Sequence, residues 1–167
     1  MADLRPKIGE RAPDFTLVGP EGKDVRLGEL LGKGPIVLYF YPKDETTGCI
    51  VEACAFRDAY EAFLTAGAEV VGVSRDDQGS HARFVAHHRL PFLLLSDPTG
   101  QAHERYGVRR RLGGLVSDRV TFVLDSAGVI RHTFDSMLRF NAHVSEALAT
   151  VRALSAAAAT AGPPPGP

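Results

Sequence analysis

The sequence has no tryptophan, two methionines and two cysteines in 167 residues. The two cysteines, Cys49 and Cys54, cannot staple a disulfide-rich scaffold and cannot fill a four-cysteine zinc site. Charge of one sign is also missing: 19 basic residues face 20 acidic ones, for a formal net charge of -1. No global field therefore argues for nucleic acid or for an acidic partner. Long hydrophobic runs are absent as well. The strongest, Ile36 to Tyr41, is six residues, against the roughly 18–20 that a membrane-spanning helix needs. The opening residues carry Asp3, Arg5, Lys7, Glu10 and Arg11 without an apolar stretch, which is not the pattern of a secretory signal. The expectation is a cytoplasmic chain with no membrane partner, whose thiols start out reduced. In that setting a close cysteine pair is read as reactive.

What is present is the composition of a globular protein, 44% hydrophobic and 23% charged, at a length that suggests one domain with a real core. Residues 1–7 read as a flexible start. Residues 155–167 (SAAAATAGPPPGP) offer little to bury and read as a disordered tail. Residues 8–154 then form the domain.

Within it, Phe15 to Val18 and Asp24 to Arg26 flank a Gly-Pro-Glu-Gly turn and predict an N-terminal hairpin. Leu27 to Leu31 predicts one helical turn. Ile36 to Tyr41 predicts a strand buried on both faces, ended by Pro42. Thr46 and Thr47 are candidate N-caps for a helix running to Gly67, with apolar residues at Ala53, Phe56, Tyr60 and Phe63. Val70–Ser74 and Phe92–Leu95 predict further strands, and Ser80–His88 and Gln101–Tyr106 predict helices. Val120–Asp125 and Val129–Phe134 predict a second hairpin, and His143–Leu154 a closing helix. The alternation implies an α/β fold, a mixed central sheet with helices on both faces.

The segment Tyr41 to Cys54, YPKDETTGCIVEAC, carries the chemistry. Cys49 falls in the first turn of the predicted helix, where unpaired N–H groups and the helix dipole favour a thiolate, the nucleophilic form. A buried, inert cysteine is the competing reading. Cys54 lies five positions on. In an intact helix the two Cα atoms stand roughly 8.5 Å apart, beyond the ~7 Å limit for a disulfide. The pair closes only if the helix start unwinds; otherwise Cys54 packs near Ile50.

The run Pro42-x-x-x-Thr46-x-x-Cys49 resembles the peroxiredoxin active-site motif, and Cys54 five residues later is similar to the bacterioferritin comigratory protein or Q-type subfamily. KIGERAPDFTL at 7–17, YFYPKD at 39–44, LLSDPTG at 94–100, RYGV at 105–108 and DRVTFVLDSAGVI at 118–130 extend the resemblance over residues 7–154. One departure stands inside the motif: the subfamily's usual T-P-G-C-T is here Thr46-Thr47-Gly48-Cys49-Ile50. The missing proline removes a rigid helix start, and Ile50 is apolar where a small polar residue is usual.

The resemblance implies a thioredoxin-like fold and a thiol peroxidase that needs no metal or other cofactor. Cys49 would attack a hydroperoxide and become a sulfenic acid. Arg119 would favour the thiolate and polarise the peroxide, and Thr46 would hold the peroxide oxygens. Pro42 would shield the thiolate, and Glu52 would orient the arginine. Cys54 would resolve the sulfenic acid as an intramolecular disulfide, which a thioredoxin-like dithiol reductant would reopen. Lacking the C-terminal cysteine arm of domain-exchanged relatives, the chain is expected to be a monomer.

Two rival functions are weighed. A thioredoxin-like disulfide oxidoreductase would want C-x-x-C, which is absent. A non-catalytic holdase or binding module would use Arg109-Arg110-Arg111 beside Gly113-Gly114, whose default reading is a solvated loop. The six histidines point to metal only weakly. His87 and His88, adjacent on a helix, are expected to point about 100° apart, and His81 lies two turns from His88.

Overall fold

The structure, a computed structural model, describes residues 5–111 and 116–161. Strands β1 (Thr16–Val18) and β2 (Asp24–Arg26) form the N-terminal hairpin, followed by the single turn α1 (Leu27–Leu30). Then come β3 (Ile36–Phe40), α2 (Thr47–Thr65), β4 (Glu69–Ser74), α3 (Gln78–His88), β5 (Leu93–Ser96) and α4 (Gln101–Arg105). A short ribbon, β6 (Arg110–Arg111) with β7 (Val116–Ser117), precedes the hairpin β8 (Val120–Leu124) and β9 (Ile130–Asp135). Helix α5 (Phe140–Ala161) closes the chain.

The main sheet has the order β2-β1-β5-β4-β3-β8-β9. β3, β4 and β5 run parallel, while β8 lies antiparallel on β3. β3 is buried throughout because both faces of the sheet are covered. Its alternate side chains divide the core. Leu38 and Phe40 pack with Phe15, Tyr106 and Phe122 on the α1 and α4 side. Val37 and Tyr39 pack with Phe56, Phe63, Phe84 and Val151 on the side of α2, α3 and α5. The α/β sheet with helices on both faces is the architecture expected from the sequence.

Three local expectations change. The closing helix starts earlier and ends later than His143–Leu154, so residues 155–161, read as disordered tail, extend α5. The run is alanine-rich, and alanine carries the highest helix propensity even with nothing to bury. At the other end, Arg5 is not loose: its Nη1 meets Asp135 Oδ2 at 2.6 Å. The ribbon β6–β7 has no counterpart in the sequence reading, and Gly113-Gly114, between its strands, lies outside the described residues. No helix among the described residues is long and apolar enough to cross a membrane.

Candidate active site

Sheet register assembles the site. Phe40, the last residue of β3, pairs with Val120, the first residue of β8. One step beyond that pair, the loop toward α2 leaves one strand and Arg119 enters the other. The loop is anchored by the buried Asp44. The Tyr41 hydroxyl and the Ser80 hydroxyl donate to its two carboxylate oxygens at 2.6 and 2.7 Å. His81 bridges the same carboxylate (2.7 Å) and the Leu95 carbonyl (3.0 Å). The Asp44 N–H donates to Asp76 at 2.8 Å. Thr46 then takes the N-cap position of α2, although its hydroxyl donates to the Lys43 carbonyl at 2.7 Å instead of capping.

Cys49 is the third residue of α2 and is buried at 1% exposure. Arg119 Nη2 lies 3.5 Å from its sulfur. The other arms of the guanidinium are occupied. Nη1 donates to Glu52 Oε1 at 2.7 Å and Nε to the Met137 carbonyl at 3.2 Å. The Phe140 ring lies 4.8 Å from the guanidinium carbon, within cation–π range. Pro42 is half-buried where β3 leaves the sheet. Cys54 is half-buried in the intact helix, and both thiols are free. Cys49, Arg119 and Glu52 therefore meet directly, with Thr46 at the exposed edge and Cys54 held apart.

The electrostatics amend one expectation. Burial pushes the Cys49 thiol up, and the Arg119 guanidinium, chief among its neighbours, pulls it down without cancelling the rise. The groups invoked from the sequence act with the expected sign; the cost of desolvating a thiolate outweighs them in the closed pocket. Burial also pushes the Glu52 carboxyl up to about 7, against the pull of Arg119.

Three contributors had no signal in the sequence. His143 sits behind Glu52, its Nδ1 3.6 Å from Glu52 Oε2. Its Nε2–H donates to the Ser136 carbonyl at 2.7 Å, so Nδ1 is free to accept from the Thr121 hydroxyl at 2.8 Å. Burial pulls its titration down to about 4, which keeps the ring neutral. Phe140 and the Met137 carbonyl arrive from the start of α5 and the segment before it. All three join the cysteine loop only through long-range packing. Gly48 is different, because a small residue beside a candidate nucleophile is visible in the sequence. A Cβ there would stand 2.8 Å from the Phe140 ring and 3.0 Å from Arg119 Nη2.

Away from this cluster, His87 and His88 do not diverge as expected. Both rings reach the carboxylate of Glu45, at 3.1 Å each.

Comparison with known proteins places this geometry in context. The AhpC/TSA family profile matches residues 8–133. A chloroplastic peroxiredoxin Q of Triticum aestivum is 45% identical over 146 residues, 87% of this chain and 67% of that protein. The Arabidopsis thaliana peroxiredoxin Q is 46% identical over 145 residues, again 87% of this chain and 67% of that protein. Among solved structures, the peroxidoxin BcpB of Mycobacterium tuberculosis superimposes with a TM-score of 0.83 at 39% identity. That match covers 89% of this chain and 97% of the other. A peroxiredoxin Q of Xanthomonas campestris gives 0.76 at 29% identity, covering 84% and 91%.

Proposed function

The chain belongs to the AhpC/TSA family, as a thioredoxin-fold peroxiredoxin of the Q type, and from that premise we propose a two-cysteine catalytic cycle for its thiol peroxidase activity. The observation that carries the proposal is the divided guanidinium of Arg119, with one arm on the Cys49 sulfur and another pinned by Glu52.

The substrate is hydrogen peroxide or an organic hydroperoxide. The Cys49 thiolate attacks the terminal oxygen. The S–O bond forms as the O–O bond breaks, and the alkoxide or hydroxide leaves with a proton as alcohol or water. The sulfur is oxidised to a sulfenic acid and the peroxide is reduced. Arg119 stabilises both the thiolate and the charge that builds on the leaving oxygen. The Thr46 hydroxyl, whose hydrogen is committed to Lys43, offers its lone pairs to the peroxide proton. Pro42 limits water at the sulfur.

Cys54 is the resolving thiol in this reading. Its thiolate attacks the Cys49 sulfenic sulfur and expels water, forming an intramolecular disulfide. Helical spacing keeps the pair roughly 8.5 Å apart, so the first turns of α2 must unwind before closure. A thioredoxin-like dithiol then reduces the disulfide by exchange. The cycle needs a single chain, and we propose a monomeric, cytoplasmic enzyme. The test is peroxide consumption: Cys49→Ser abolishes turnover, and Cys54→Ser consumes one equivalent and stops. Full turnover by Cys49→Ser would sink the proposal.

A further inference from the structure

We propose that Glu45, His87 and His88 form a binding site for a divalent transition-metal ion, zinc in particular, which staples the active-site loop to the end of α3. The three residues offer two imidazole nitrogens and a carboxylate, a donor set suited to zinc. His87 Nδ1 lies 3.1 and 3.3 Å from the two Glu45 oxygens, and His88 Nε2 lies 3.1 Å from the second. All the donor atoms lie within 4.8 Å of one another. A tetrahedral ion with ligands at about 2.0–2.1 Å needs neighbouring donors about 3.3 Å apart. The nitrogen–oxygen spacings already match that edge.

Adjacent helical histidines leave the backbone about 100° apart, yet both rings turn toward the Glu45 carboxylate. His88 is the last residue of α3, and Arg89 turns into the left-handed region at φ 52°. The two rings stack loosely at 4.4 Å and 35°. His88 is also held in place: its ring meets the buried Phe84 edge-on at 5.1 Å, and Arg57 donates to its carbonyl at 2.7 Å. Glu45 itself sits at φ 59°, a left-handed conformation that side-chain-bearing residues rarely adopt. That turn, locked next door by Asp44, presents its carboxylate to the histidines.

The second cluster of candidate ligands, Asp44, Asp76 and His81, behaves differently. Its carboxylates are also bonded to groups outside the cluster, the Tyr41 and Ser80 hydroxyls and the Asp44 N–H, so an ion there would disrupt the loop anchor, whereas at Glu45 it would replace only the histidine–carboxylate contacts themselves. The Glu45 site is at the surface, and water can complete its coordination.

Glu45 immediately precedes Thr46, so an ion bridging it to α3 opposes any departure of the loop from its folded position. Ions that bind only the folded arrangement suppress opening by a factor of one plus the ratio of ion concentration to Kd. On the catalytic reading above, and resting on it, the same staple would slow closure of the Cys49–Cys54 disulfide.

The test uses the full chain carrying Cys49→Ser and Cys54→Ser, which removes the thiols as competing ligands and makes the outcome independent of peroxidase activity. Titration with zinc sulfate by calorimetry should give one ion per chain. Adding Glu45→Gln or His87→Ala should weaken binding at least about tenfold, the scale on which even supporting residues affect metal sites. At zinc ten times Kd, amide exchange of residues 43–50 should slow about tenfold, and not in the Glu45→Gln chain. Absence of zinc binding, or binding unaffected by both substitutions, overturns the site. Binding with unchanged exchange overturns the staple.

Discussion

Arg119 divides one guanidinium between a sulfur and a carboxylate, and Gly48 is the residue that leaves room for it. A methyl group at Gly48 would crowd both the Phe140 ring and Arg119 Nη2. Both contacts are to side chains and not to backbone, so the fold should tolerate the change while the arginine is pushed off the sulfur. Losing one such donor typically costs about 10²–10³ in rate. Gly48→Ala is therefore expected to lose about a hundredfold in the second-order rate with peroxide, with its Tm nearly unchanged. Adding Phe140→Leu should recover part of the loss by opening the space. Unimpaired kinetics in Gly48→Ala would remove Gly48 from the account. At this scale the sequence was uneven. Cys49, Thr46, Glu52 and Arg119 stand in or match motifs and could be named. Phe140 and His143 could not, because nothing local marks a ring that reaches the site through packing of α5 on α2.

On the proposed two-cysteine cycle, helix α2 has to be both a firm element and one that opens at its start. Its middle is firm: Ala53, Phe56 and Phe63 are buried at 1% exposure or less, and each phenylalanine contributes on the order of 2–3 kcal/mol by burial. Its first turn is held by less, chiefly Cys49 and the half-buried Ile50 on the same core. Ile50 stands where the subfamily usually has a small polar residue. Exchanging it for threonine gives up part of an apolar contact, about 1 kcal/mol for a half-buried side chain, and should favour the unwound turn. Ile50→Thr is expected to speed disulfide formation about fivefold in stopped-flow experiments, leaving the first oxidation step unchanged. A slower or identical disulfide step would mean that Ile50 does not restrain the turn. The helix itself was legible from the spacing of Ala53, Phe56, Tyr60 and Phe63, since that period is set by burial. The end of α5 was not, because low complexity was taken as disorder where alanine propensity sustains a helix.

Across the whole molecule, the site places two buried titratable groups in opposition. His143 is pulled from 6.5 to about 4. Unfolded chain takes up that proton first, so this contribution to stability is full above pH 6.5 and is lost as pH falls toward 4. Glu52 is pushed from 4.5 to about 7. Folded chain keeps its proton longer, so this contribution is present below pH 4.5 and is lost as pH rises toward 7. Each shift is worth about 3 kcal/mol, and in the intact protein the two nearly offset one another. Urea denaturation across this range should separate them. Relative to the parent chain, Glu52→Gln should lose stability on acidification from pH 6.5 to 4. His143→Asn should lose it as pH rises from 4.5 to 7. Parallel profiles for all three proteins would refute the two opposing contributions. The sequence showed the layered α/β architecture because alternating buried strands and amphipathic helices are local patterns. It did not show this buried pair, which exists only where β8, α2 and α5 converge.

The central claim is that Cys49 and Cys54 act in succession within one chain, with α2 opening between the steps. Intact-mass measurement with disulfide mapping, after one equivalent of hydrogen peroxide, tests it most directly. The expected result is loss of two hydrogens per chain, a Cys49–Cys54 bond and no covalent dimer, with a parallel fall in helical circular dichroism. A Cys49 that remains reduced, or oxidation that stops at the sulfenic or sulfinic acid with Cys54 untouched, would contradict it.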